Sequence, residues 1–239
     1  MEKRQKVRIE EMTRREFRNA LQAGDIKVAI VVTGSIEQHL EHLEMGHDIA
    51  SCTYVAEQVA RNLYPQVVVA VPVSIGISEH HMFAPGSLSA KPGSWLSVVF
   101  DTVESLVRHG IRNVLILNGH GGNVAPVSGA FDQWRRYFAR RDPGASLFFR
   151  NYWDLVPEEF AKGVLDTGRM PGHAQEFETA FALHAFPHRV RLDALGDQED
   201  KEPTHAPEGK GRRLVEKAIE EVTELVKGII EGEVVAETS

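Results

Sequence analysis

Hydrophobic positions along the 239-residue chain fall into two kinds of run. The short unbroken ones are "KVAIVV" (27–32), "VVVAVPV" (67–73), "NVLIL" (113–117) and "SLFF" (146–149). They are rich in β-branched and aromatic residues and bounded by turn residues, as strands buried on both faces are. Between them, apolar positions recur at helical spacing. Residues 49–63 form one such segment. "SWLSVVFDTVESLVRHG" (94–110) forms another, with Trp95, Val98, Val99, Val103, Leu106 and Val107 on its apolar stripe and Gly110 as its stop. Residues 123–140, 176–186 and 210–230 complete the set. This alternation predicts an α/β fold: a single three-layer α/β/α domain over residues 1–239, with a mostly parallel central sheet. The Gly-, Pro- and charge-rich stretch 193–208 reads as an ordered surface loop of that domain.

Composition then narrows the function. At 42% hydrophobic and 26% charged, the chain is ordinary globular material. Its net charge of −7, with no basic stretch beyond pieces such as "GRR", argues against a nucleic-acid partner. No apolar segment approaches the roughly 18 residues a membrane span needs. The charged start "MEKRQKVRIEEMTRREF" lacks the apolar core of a signal peptide, so a cytoplasmic protein without a membrane partner is expected. The single cysteine, Cys52, excludes an internal disulfide framework and a thiolate metal cluster, and reads as packing.

Candidate chemistry gathers at the carboxyl ends of the predicted strands, where sites form in open parallel sheets. The first is followed by "TGSIEQHLEHLEMGHDI" (33–49), the second by "SIGISEHH" and the third by "NGHGGN". Three of the four predicted strands thus deliver Glu or His to one edge. Glu37 and His39 share a side of an extended chain, and Asp48 follows at a helix start. Carboxylate, imidazole and carboxylate suit Zn²⁺, Mn²⁺ or Fe²⁺. His120 sits among glycines that permit a tight turn, with Asn118 and Asn123 able to brace it. The spacing there is neither of the phosphate-cradling glycine patterns. "GHAQEFETA" adds His173 before a helix that opens with Glu176 and Glu178. Three negative charges from Glu37, Asp48 and Glu176, with neutral His39 and His120, are balanced by two divalent ions and a bridging hydroxide. A single ion would leave surplus charge that is costly to bury. Ser35 and Ser87 lack the nucleophile elbow G-x-S-x-G, which argues against a serine hydrolase.

The segments "GSIEQH", "HLEMGHD", "EHHMFAPGSLS", "NGHGGN", "GHAQEFET" and "PEGKGRR", in that order over about residues 33–215, resemble those of the creatininase (creatinine amidohydrolase) family. The resemblance implies one α/β domain, commonly assembled into hexamers. It implies that Glu37 and His120 hold one metal and His39 and Glu176 the other, with Asp48 bridging. Gly122 stands where creatininase itself has a carboxylate, and Glu176 is expected to fill that vacancy. His173 corresponds to the family's proton-shuttling histidine and Glu178 to an acid supporting the site. Glu79, His80, His81, Tyr152 and Trp153 become candidates for substrate contacts. Departures lie at Leu40, Glu41 and Glu44, where Gly, Pro and Pro are usual, at His47 in place of a small hydroxyl residue, and at Gln175 in place of Gly. "EHHMFAPGS" carries an extra residue, so either His80 or His81 takes the family position. The expectation is a dinuclear metal-dependent hydrolase of a small C–N bond: a cyclic amide, formamide or short peptide amide. The alternatives are cleavage of a C–C bond in a sugar- or inositol-derived cyclic ketone, and a non-catalytic metal-binding module.

Overall fold

The computed structural model describes residues 5–206 and 209–234. Pro207 and Glu208 of "PEGKGRR" therefore lie outside the described residues. Four strands, β1 (Val28–Thr33), β2 (Val67–Val69), β3 (Asn113–Asn118) and β4 (Ser146–Asn151), form one sheet in the order β2-β1-β3-β4. Every pairing is parallel, with Val28 opposite both Val67 and Asn113. Six consecutive residues of β1 are buried, which is why the run carries no polar alternation.

Among the described residues, seven helices cover the sheet: α1 (Arg14–Ala23), α2 (His47–Asn62), α3 (Pro92–Arg108), α4 (Val124–Arg141), α5 (Glu158–Lys162), α6 (Glu176–Ala185) and α7 (Lys210–Glu231). Val28, Ile30 and Val32 face a core built with α2, α6 and α7. Ala29 and Val31 face the other way, into a core with Trp95, Val99 and Val103 of α3 and Val127, Trp134 and Phe138 of α4. The α/β expectation of a parallel sheet between helical layers holds. Cys52 is buried, its thiol donates to the Leu117 carbonyl at 3.2 Å, and burial pushes its pKa well up, so it packs as expected.

Three elements depart from the sequence reading. Predicted β2 (67–73) is regular only to Val69, because Pro72 lacks an N–H for the ladder, yet Ala70 and Val73 still donate to Ile30 and Val32. Helix α1 is absent from the predicted set. It is fixed by a capping box in which Thr13 accepts from the Glu16 amide and Glu16 from that of Thr13, while none of its residues is fully buried. The short α5 is the other addition. The loop at 193–206 is ordered against the body: Gln198 donates to His42, and Gln175 to Asp200.

Candidate metal centre

β1 feeds α2 on one face of the sheet and β3 feeds α4 on the other, so the crevice between their carboxyl ends is a topological switch point. A buried amide network locks those ends together. Asn118 accepts from Thr33 Oγ1 at 2.9 Å and from Asn123 Nδ2 at 3.1 Å, and donates to the His120 carbonyl at 2.6 Å and to Asn151 at 2.8 Å. Asn123 in turn donates to the Gly34 carbonyl and accepts from the Ile77 amide. The bracing expected of Asn118 and Asn123 is present. Glycines let the segments close on one another. A Cβ at Gly119 would stand 2.5 Å from the Asp48 carbonyl oxygen, and one at Gly122 would overlap that of Ile77.

Into this crevice the chain directs buried Glu37, His39, Asp48, His120 and Glu178. Asp48, in the first turn of α2, lies between two imidazoles: Oδ1 is 2.9 Å from His39 Nε2 and Oδ2 is 2.9 Å from His120 Nδ1. Glu37 Oε2 is 3.4 Å from the same His120 nitrogen, and Glu178 Oε2 is 3.8 Å from His39 Nε2. The outer ring nitrogens fix what the inner ones present. His39 Nδ1 lies 3.1 Å from the Glu37 carbonyl and His120 Nε2 lies 3.1 Å from the Ile77 carbonyl. A carbonyl only accepts, so each outer nitrogen carries the hydrogen. In a neutral ring, a lone pair then points into the carboxylates.

A lone pair facing a carboxylate repels it unless a positive charge intervenes. Either a proton or a metal cation serves. Burial opposes charge on His39, but Asp48, aided by Glu178, outweighs it and pushes the imidazole up to about 10. His120 shifts upward in the same way, with Asp48 and Glu37 overcoming burial. Burial raises Glu178 to about 8, with Asp48 adding repulsion. Burial works against Asp48 too, yet the two imidazoles hold it below the usual carboxylate range. Glu37 Oε2 is buried without a hydrogen bond, and Asp48 Oδ2 has one only when His120 Nδ1 carries a proton. Imidazoles orientated by carbonyls, together with orphaned carboxylate oxygens, fit divalent cations. His39, Asp48 and Glu178 could hold one ion, and Glu37 with His120 another.

The creatininase family model, described as creatinine amidohydrolase, matches residues 10–218. The chain belongs to the creatininase family. Among its relatives are the 3-dehydro-scyllo-inosose hydrolase of Thermotoga maritima, 28% identical over 84% of this chain and 63% of that protein, and the creatinine amidohydrolase of Pseudomonas putida, 28% identical over 80% and 76%. The mycofactocin precursor peptide peptidase of Mycolicibacterium smegmatis is 30% identical over 71% of this chain and 62% of its own length. The chain therefore spans under two thirds of two of these relatives. A solved creatininase superposes with a TM-score of 0.80 at 22% identity, over 98% of this chain and 100% of that one. Another, described as a manganese creatininase, gives 0.79 at 23%, covering 93% and 98%.

Within this creatininase-family chain the residues separate clearly. Glu37, His39, Asp48 and His120 come together. Glu176 does not. Its carboxylate accepts from the amides of Asp166 at 2.9 Å and Thr167 at 2.8 Å and from Lys210 Nζ at 2.6 Å, on the far side of α6 from Glu178. Two residues apart on a helix is about 200°, so one faces the crevice and the other cannot. Tyr152 and Trp153 are not displayed in the crevice as a substrate contact would be: both are buried in the core with Phe177 and Phe181. Glu79 and His80 are exposed on the 3₁₀ turn Glu79–His81 beside the crevice. The His80 ring stacks 5.8 Å from that of His120, while His81 Nε2 lies 3.5 Å from Glu37 Oε1. His173 Nδ1 approaches the same oxygen at 3.6 Å, with about a third of its side chain exposed. Burial, reinforced by His39 and His81, lowers His173 to about 3. The sequence reading missed His42, whose Nε2–H donates to Thr179 Oγ1 at 2.8 Å, and Gln38, which touches two of the histidines. Leu40, at a position where the resemblance leads to an expected Gly, adopts a left-handed φ of 56°, the conformation that glycine serves at least cost.

Proposed function

We propose that the protein is a divalent-metal-dependent hydrolase acting on a carbonyl carbon of a small molecule, with a C–N bond as its target. The observation carrying this reading is the pair of imidazoles, His39 and His120, whose outer N–H groups are taken by backbone carbonyls while their inner nitrogens meet opposite oxygens of Asp48. His39, Asp48 and Glu178 would hold one ion; Glu37, His120 and the second oxygen of Asp48 would hold the other. Glu178 replaces Glu176 in this assignment and keeps the ligand set at three carboxylates. Divalent ions held there acidify water and polarise a carbonyl oxygen.

The chain's own side chains supply the rest. His173, at the rim beside Glu37, handles the proton that must reach the leaving nitrogen, a role worth about 10²–10⁴-fold. His80 and Glu79, exposed on the adjoining turn, meet the substrate. A second reading, cleavage of a C–C bond in a cyclic ketone, draws on the inosose hydrolase relative, whose identity of 28% equals that of the creatinine amidohydrolase. Metal analysis of the purified chain and a substrate panel decide the matter. Bound zinc, manganese or iron with amine or ammonia release supports the proposal. Acid release without amine selects the second reading, and a metal-free chain whose stability ignores chelator rejects both.

A further inference from the structure

Gln38 stands between the two ligand-type residues Glu37 and His39 and has no part in the assignment above. Its amide makes three contacts. Oε1 accepts from the Leu40 backbone N–H at 3.0 Å, and Nε2 lies 2.9 Å from His81 Nδ1 and 2.7 Å from His173 Nε2. The Leu40 contact settles which way the amide faces, because a backbone N–H needs an oxygen. Both amide hydrogens therefore point at imidazole nitrogens, and those nitrogens must accept. In neutral rings, the hydrogen of His81 is left on Nε2 and that of His173 on Nδ1. These two nitrogens lie 3.5 and 3.6 Å from one atom, Glu37 Oε1. The rings are stacked, with centroids 4.2 Å apart and planes 22° from parallel, so one amide can serve both.

From this we infer that Gln38 is a positioning residue that sets the tautomers of His81 and His173, turning both N–H groups onto Glu37 Oε1. The carboxylate is thereby divided. Oε1 faces the two rim imidazoles at 3.5 and 3.6 Å, and Oε2, which has no hydrogen bond, is left to the cation side with His120. The assignment deepens the reading of His173 as the proton-handling residue and depends on that reading only for its catalytic meaning. Leu40 takes part through its backbone alone: its left-handed φ of 56° accompanies the N–H contact with Oε1.

The test is a long-range ¹H–¹⁵N correlation spectrum of the histidine rings in the full-length ¹⁵N-labelled chain, recorded before and after zinc is added. In the wild type, the bare nitrogen is expected at Nε2 of His173 and at Nδ1 of His81. Gln38→Glu presents only acceptors, so the hydrogens should move to His173 Nε2 and His81 Nδ1. Gln38→Met removes the contact, and both rings should lose their single tautomer and show averaged shifts. Zinc stoichiometry should stay at the wild-type value in both variants, which a loss of fold would not allow. If Gln38→Glu does not fold, Gln38→Met carries the test. The opposite tautomer on either ring of the wild type, or a pattern unchanged in the variants, overturns the inference. A wild-type chain that takes up none of zinc, manganese or iron yet shows the expected tautomers defeats the hydrolase reading and leaves Gln38 in its role.

Discussion

Two glutamates, Glu176 and Glu178, share one helix, are both buried, and resolve their charge in opposite ways. Glu176 sits in a complete cradle of two backbone amides and the Lys210 ammonium. Burial opposes its ionisation, but Lys210 and the amides prevail and hold it below the usual carboxylate range. Glu178 has one donor, the Ala174 amide at 2.6 Å, and otherwise faces His39 and the charge of Asp48, so its pKa rises to about 8. A buried carboxylate with donors on both oxygens, one of them an ammonium, is holding the fold together. One short of donors, among other acids, is suited to a cation. The pair shows why burial and residue type do not by themselves reveal a ligand.

The strongest way to break this contrast is at the shared carboxylate. Asp48→Ala should lose both ions and essentially all turnover, read as metal stoichiometry by elemental analysis; a variant retaining a full complement would remove Asp48 from the centre. Next, Glu178→Gln should weaken metal binding by more than the roughly 10–100-fold that loss of an outer-sphere partner costs. Lys210→Met should leave metal content untouched while lowering stability by about 1–3 kcal/mol, since Glu176 keeps its two amides. Thermal denaturation reads this as about 2–4 °C per kcal/mol. Metal loss in that variant would put Glu176 in the centre and collapse the comparison.

The smallest effect concerns His42, which stays neutral between a Gln198 donor and the Thr179 acceptor. Burial, with His39 beside it, lowers His42 to about 4. Below an unfolded value of about 6.5, the unfolded chain binds the proton that the folded chain refuses. Stability should therefore fall as pH drops from about 6.5 towards 4. His42→Gln can keep both hydrogen bonds and should make that slope shallower, measured as melting temperature against pH.

Much of this architecture can be read from the chain. The strands are legible because burial on both faces erases polar alternation, and the crevice because Glu37, His39 and His120 follow two adjacent strands directly. The choice between Glu176 and Glu178 is not legible. It depends on the rotation of α6 about its axis, which Phe177 and Phe181 set by packing into the core with α7. Tyr152 and Trp153 mislead for a related reason: they follow β4 as site residues would, yet the chain there dips into the larger core. Helix α1 announced itself by Thr13 and Glu16, a local signal that an apolar periodicity search passes over. Gln38 could not have been found by spacing, because its partners lie 43 and 135 positions away.

The amide network around Asn118 has a consequence for how the proposed centre would meet its ions. Thr33, Asn123 and Asn151 tie β1, the turn after β3 and β4 to one side chain, so the cup is shaped by hydrogen bonds that engage no ligand-type side chain and meet His120 only at its backbone carbonyl. Stripping with a chelator should then leave a folded receptacle that refills on exposure to ions. Selection among competing cations falls to supply and coordination preference, since the chain need not refold around whichever arrives first.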